Sequence, residues 1–392
     1  MDELIQVGDE FYIPSASAMA DDRTRVLKDG ETFAVFDRCG DIQPLGKGEQ
    51  GIYHEGTRFL SRLVLSVERL RPLLLSSTVR QDNALVTVDL TNPDIHSDGR
   101  IAIPRGTLHI ARTKFLWQGS CYEQIKVSNY SRLPVAFSLN FQFDADFADI
   151  FEVRGVKRKA RGELLPHGST ASGGIQLNYR GLDGVTRQSE IEFVGTSAKL
   201  SNNEATWNIS LDPKEEKLAE IRVICRSGKS PRSHIGYDGA LRASADALRD
   251  AASRDCEIYT SNEQFNDWVN RSLADLRMMI THTSQGPYPY AGVPWFSTAF
   301  GRDGVITALE LLWVNPKVAK GVLAYLSHTQ AREIDCERDA EPGKILHETR
   351  LGEMAALGEI PFGSYYGSVD ATPLYIMLAG AYYARTGDRP FI

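Results

Sequence analysis

Residues 218–253 read LAEIRVICRSGKSPRSHIGYDGALRASADALRDAAS, and the fold turns on a change of texture inside them. The opening LAEIRVICR (218–226) is rich in β-branched residues and alternates in the manner of a half-buried strand. ALRASADALRDAAS (240–253) instead repeats its apolar residues at three- and four-residue spacing, the mark of an amphipathic helix. The change follows Ser230 and Pro231 and predicts a boundary near residue 235.

The two textures extend outward from there. TFAVFD (32–37), SRLVLSV (61–67), ALVTVDL (84–90), GTLHIARTKFLW (106–117), CYEQIKVSN (121–129), PVAFSLNFQF (134–143), SEIEFVG (189–195) and ATWNISL (205–211) all read as strands. Gly, Asn, Asp and Pro fall between them, so residues 1–235 are expected to form an antiparallel β-sandwich. In 236–392, NEQFNDWVNRSLADLRMMITH (262–282), DGVITALELLW (303–313), PKVAKGVLAYLSHTQ (316–330) and ATPLYIMLAGAYYARTG (371–387) predict helices. Asn315 with Pro316 reads as a helix start, and Gly387 as a stop. Asp388 to Ile392 resembles the cap and first turn of another helix, which leads us to expect the front part of a longer protein.

A chain of 392 residues exceeds one ordinary core, consistent with two domains. Its net charge of −7 offers no long-range attraction for nucleic acid or an anionic membrane. The start, MDELIQVGDEFYIPS, lacks the basic and apolar regions of a secretory signal, and no apolar run approaches a membrane span. Cys39, Cys121, Cys225, Cys256 and Cys336 are scattered and odd in number, which suits reduced thiols and a cytoplasmic location. Arg154, Lys157, Arg158, Lys159 and Arg161 form a local basic run, read as a solvated loop or strand face rather than a phosphate grip.

Several short motifs dissolve on inspection. GKGEQG (46–51) fits a dinucleotide glycine pattern but is followed by a strand, so it reads as a turn. HETRL (347–351) lacks the second histidine of a zinc helix, and DADFAD (144–149) lacks calcium-loop spacing. No cofactor or metal is expected. Three stretches remain, PWFSTAFGRD (294–303), PGKILHETR (342–350) and PFGSYYGSVD (361–370), each joining aromatic rings to charged or hydroxyl groups near a helix start. Sugars present apolar C–H faces beside hydroxyls, and such combinations suit them. The adjacent Arg302 and Asp303 offer donors and an acceptor to vicinal hydroxyls, although a helix cap is the competing reading. Ser368 or Asp370 is expected to cap the last helix.

GVPWFSTAFGRDGVITAL, PGKILHETRLGEMAALGEIPFGSYYGSVDATPLYIMLAGAYY, GIYHEGTRFLSRLVL and FDADFADIFEVRG resemble the bacterial and archaeal glycogen debranching enzyme, or amylo-α-1,6-glucosidase, family over nearly the whole chain. The resemblance implies an N-terminal β-sandwich followed by the first part of an α/α barrel of six helical hairpins. It implies a glycoside hydrolase acting on α-glucosidic bonds with inversion, on an α-glucan or oligosaccharide. The alternatives are hydrolysis of a small glucoside such as glucosylglycerate or trehalose, or a non-catalytic carbohydrate-binding fragment. By resemblance to glucoamylases, Arg302 and Asp303 hold the non-reducing glucose. The expected substrate-binding set is Trp295, Phe296, Arg302, Asp303, His347, Glu348, Tyr365, Tyr366 and Asp370. The residues from about 237 onward make up roughly half of what twelve helices need, so the catalytic acid and base are expected beyond Ile392, with Glu348 and Asp370 as outside candidates. Oligomeric state stays open.

Overall fold

Among the described residues strands dominate up to Ser227 and helices from Tyr237 onward. The computed structural model describes residues 24–43, 48–170, 173–195, 198–201, 203–228 and 235–392, together with the backbone of two short strands, Ile5–Val7 and Glu10–Tyr12. The Ser230–Pro231 junction, Gly46, Lys47 and most of the first fifteen residues lie outside them.

One sheet has eight antiparallel strands, in the order Glu163–Ser169, Ile175–Arg180, Thr186–Val194, Glu216–Ser227, Ser120–Asn129, Leu108–Trp117, Val86–Thr91 and Leu73–Val79. A second joins Lys199–Leu200, Glu204–Leu211, Val135–Asp144 and Arg62–Val67, and a third Arg25–Asp29, Thr32–Phe36, Gly51–His54 and Thr57–Leu60. Ile125 and Ile221 of the first sheet, Phe141 and Leu65 of the second, and Phe36 and Ile52 of the third share one buried core. This is the expected sandwich-like packing. Leu73–Val79 and Glu163–Ser169, which the alternation did not single out, are the two edges of the large sheet. Both faces of those strands are largely open, so the in-and-out pattern is blurred there.

The strand Leu108–Trp117 carries an unusual load. Its period of two turns Leu108, Ile110, Arg112, Lys114 and Leu116 toward the core, and the Arg112 and Lys114 side chains are wholly buried. Lys114 stands opposite Glu123 in the register and donates to its carboxylate. Arg112 reaches the other Glu123 oxygen at 2.6 Å, Asp41 Oδ1 at 2.6 Å and the Cys39 carbonyl at 2.7 Å. Two cations and two anions thus neutralise one another in the buried interior.

The longer helices among the described residues are α1 (Tyr237–Ala252), α2 (Glu263–Met279), α3 (Gly301–Glu310), α4 (Pro316–His328) and α5 (Ala371–Thr386). Tyr237 and Ala240 of α1 press on Phe115 and Tyr122, on the outer face of the large sheet. Val305, Val322 and Leu378 bring α3, α4 and α5 into one core. Asn315 Oδ1 accepts from Lys317 N–H at 3.2 Å to cap α4, and Gly387, at φ 66°, closes α5. Of the stretch MMITH, read as helix, Met278 and Met279 complete α2 as expected, whereas Ile280 to His282 depart. Ile280 turns extended and begins a hairpin, Ile280–Thr283 with Gly286–Pro289. Thr281 of that hairpin receives a hydrogen bond from the buried Lys28 at 2.8 Å, beside a cavity of about 600 Å³ between the sheet and α1 and α2.

Strand-rich and helical parts are clamped together around residues 149–161. Asp149 caps the short helix Ile150–Val153 in a capping box, while its second oxygen accepts from Met354 N–H at 3.1 Å. Arg158, read from sequence as solvated, has a side chain only 1% exposed and binds Glu353 at 3.1 Å and Glu359 at 2.7 Å. Tyr179 O–H donates to Glu353 at 2.8 Å. Burial works against the Glu353 charge, but Arg158, the Leu182 N–H and Tyr179 hold it below the usual carboxylate range. Phe33, Tyr53, Phe151 and Met354 fill the space beneath, with Trp295 and Phe362 at the margin. All five cysteines are unpaired, and among the described residues no helix is long and apolar enough to cross a membrane.

Candidate functional site

The site is built where α3 and α5 begin side by side. Gly301 opens α3 with its N–H bound to the His347 carbonyl at 2.9 Å. A Cβ at this position would lie 1.9 Å from the Leu346 carbonyl oxygen, so only glycine lets the helix start so close to the 345–349 segment. That segment is extended: Glu348 bridges Phe300 on one side and Tyr365 on the other. The next residue of α3 is therefore delivered to the start of α5. Arg302 Nη1 meets Asp370 Oδ2 at 3.3 Å, and Arg302 Nε lies 3.8 Å from Asp303 Oδ2.

The capping readings are settled by hydrogen bonds. No side chain caps α3; Asp303 sits in its first turn, where a carboxylate still suits the helix dipole. At α5 the Ser368 hydroxyl accepts from Ala371 N–H at 3.3 Å, whereas Asp370 makes no cap and turns toward Arg302. The Ser368 hydroxyl also donates to Asp370, and with Arg302 it holds that carboxyl below its usual range. Arg302, Asp303 and Asp370 remain 47%, 41% and 36% exposed at their side chains, so the charges face solvent across an open surface.

A row of aromatic rings runs from Phe296, through Phe300 at the head of α3, to Tyr365. Phe296, Phe300, His347 and Tyr365 meet edge to face, with centroids 5.8, 5.8 and 6.0 Å apart in turn. Phe296 is 45% exposed. Tyr365 O–H is held by Asp339 at 2.7 Å. Trp295 is half-buried at the joint and gives its carbonyl to Arg350 Nη1 at 3.0 Å.

Two of the expected residues play other parts. Tyr366, offered from sequence as a sugar contact, is buried in the helical core with its hydroxyl on the Thr329 carbonyl at 2.8 Å. Successive residues of an extended chain point opposite ways, and the outward one is Tyr365. Glu348 is buried and binds Arg350 Nε at 2.6 Å, two residues along the same extended face. It acts as a strut under the ring row. Burial, with further repulsion from Arg154, lowers Arg350 from its ordinary value while Glu348 opposes that shift. Phe300, Arg350, Phe362 and Arg154 were not among the expected residues. The i, i+2 spacing of Glu348 and Arg350 was the one local signal.

Comparison with solved structures finds the same fold in two larger proteins. A protein described as a kojibiose phosphorylase from the human microbiome superimposes with a TM-score of 0.63 at 11% identity, over 93% of this chain and 54% of the other. A bacterial glucoamylase complexed with acarbose gives 0.52 at 12% identity, over 92% and 56%. The chain thus spans just over half the length of these structures. It belongs to the family defined by the N-terminal domain of some glycogen debranching enzymes, whose model matches residues 27–222. No curated protein sequence matches the chain.

Proposed function

We propose that this chain forms the sandwich (1–235) and the opening hairpins of an α/α six-hairpin barrel (236–392) in a glycoside hydrolase of amylo-α-1,6-glucosidase type. The observation that carries the reading is the meeting of Arg302, Asp303 and Asp370 at two adjoining helix starts, with the partly exposed Phe296 packed on Phe300 at the head of α3. A planar guanidinium between two carboxylates offers donors and acceptors to vicinal hydroxyls, while the ring covers the C–H face of a glucosyl unit. Family membership supports an α-glucan or oligosaccharide as substrate. Helix α5 supports the barrel: it is apolar on all sides, yet leaves Ile376 and Met377 exposed, as a helix does when others pack over it.

In this reading the three charged residues bind and orient the glucose, and an inverting pair of carboxyls ~6.5–9.5 Å apart performs the hydrolysis. Neither Glu348, occupied by Arg350, nor Asp370, occupied by Arg302 and Ser368, is assigned to that pair. The test is kcat/KM of the full-length protein on maltooligosaccharides, branched dextrin and trehalose, with and without inorganic phosphate. Asp303→Asn and Arg302→Lys each weaken a charge-assisted contact of ~1.5–3 kcal/mol, so kcat/KM should fall roughly ten- to hundredfold at unchanged melting temperature. Phosphate-independent release of glucose is expected. Normal kcat/KM in both variants would refute the assignment.

A further inference from the structure

The ring row at the site continues into the strand-rich part of the molecule. Tyr365 meets Phe362 at 5.5 Å, and Phe362 stacks on Phe151 at 5.6 Å. Phe151 belongs to the short helix Ile150–Val153, so the row leaves the helical region and ends in the sandwich clamp. Between its two ends, Phe151 and Phe296, lies one guanidinium. Arg154 sits 5.8 Å from the Phe151 centroid, 5.6 Å from that of Phe296 and 5.9 Å from that of Trp295. The row is thereby a closed circuit. Arg350 stands inside it, 5.2 Å from Phe151 and 5.6 Å from Phe300.

The two arginines do different work. Arg350 is buried and committed to Glu348 and the Trp295 carbonyl. Arg154 is exposed and follows a helix whose own geometry is fixed by the Asp149 capping box. Its backbone N–H is bound to the Ile150 carbonyl at 3.1 Å, so its position is dictated by the sandwich side. Of the three rings it touches Phe151 is buried, but the other two are less held by burial: Phe296 is nearly half exposed and Trp295 lies at the margin of the joint. A flat cation laid against such rings fixes their planes, which a point charge does less well.

We infer that Arg154 is a positioning residue for sugar binding: it sets the Trp295–Phe296 platform on which a neutral glucosyl ring lies, and so gives the strand-rich half a share in specificity. This rests on the sugar-site reading of Arg302, Asp303 and Asp370. The basic run that contains Arg154 is thereby divided. Arg158 and Arg161 bind Glu353, Glu359 and Glu152, while Arg154 serves the platform.

The experiment is a titration of the 392-residue chain with maltotriose, reading affinity by calorimetry and Trp295 emission as the difference from a Trp295→Phe variant. Arg154→Ala should change Trp295 emission in the absence of sugar and weaken maltotriose about three- to tenfold, in line with a cation–π contact. Arg154→Lys should fall between Arg154→Ala and the parent chain, and melting temperatures should stay together. Arg302→Lys, measured in parallel, should lose affinity without altering emission of the free protein. Full affinity in Arg154→Ala beside lost affinity in Arg302→Lys would overturn the inference and leave the site reading standing. Lost affinity with unaltered emission would overturn positioning in favour of direct contact. Absence of binding by the parent chain, or undiminished binding in both variants, would overturn the inference and the site reading alike.

Discussion

Glu123→Gln removes one negative charge from a cluster of four buried charges. In the folded protein Glu123 takes Arg112 on one oxygen at 2.6 Å and Lys114 on the other, and both cations are 0% exposed. The amide keeps one acceptor oxygen and points its NH₂ donors at a second donor, leaving two buried cations against Asp41 alone. Breaking a buried pair in this way costs about 3–5 kcal/mol. At ~2–4 °C per kcal/mol for a domain of this size, the melting temperature should fall by roughly 6–20 °C. The assay is calorimetric or circular-dichroism melting at pH 7, repeated for Lys114→Met/Glu123→Gln. The double variant leaves Arg112 and Asp41 as a neutral pair and should recover part of the loss, a coupling that separate sites would not show. Burial opposes the Glu123 charge, but Arg112 and Lys114 hold it below the usual carboxylate range. Its stabilising part is therefore present above the ordinary carboxylate value and lost as pH falls through the folded one, so the variant should lose less stability in acid than the parent. A melting temperature within ~2 °C of the parent at neutral pH would refute the reasoning.

Lys28, whose ordinary value is 10.5, is pushed down to about 8, chiefly by burial. Between those values the unfolded chain holds a proton that the folded one has released, so stability should rise with pH from about 8 to 10.5; Lys28→Met should remove that rise in melts taken across the range. Gly301→Ala places a methyl 1.9 Å from the Leu346 carbonyl. It should cost ~1–3 kcal/mol in melting and displace Arg302, lowering kcat/KM of the full-length protein as well.

The long strands were legible because one face of each is buried, and GTLHIARTKFLW keeps its period through Arg112 and Lys114. That those two cations face inward was hidden, because Asp41 lies 71 residues away in a loop and Glu123 9 to 11 residues away on the neighbouring strand, and such pairing leaves no local mark. Arg158 was misjudged for the same reason, its carboxylates lying 195 and 201 residues further along. MMITH has spacing that a helix or a strand can use, and the hairpin pairing decided it. At the site, the aromatic and charged composition of PWFSTAFGRD and PFGSYYGSVD was visible. Their meeting was not, because Arg302 and Asp370 are joined only when α3 and α5 start at the same place, which a glycine against a carbonyl permits.

The clamp at residues 149–161 bears on how this molecule tolerates recombination. Asp149 and Arg158 are matched to Met354, Glu353 and Glu359 across the joint. A chimaera that exchanged the strand-rich half with that of a relative at residue 235 would inherit one side of this lock without the other. Viable crossovers should instead carry residues 149–161 and 352–359 from the same parent, so these two short segments form a single heritable unit although nearly 200 residues of chain separate them.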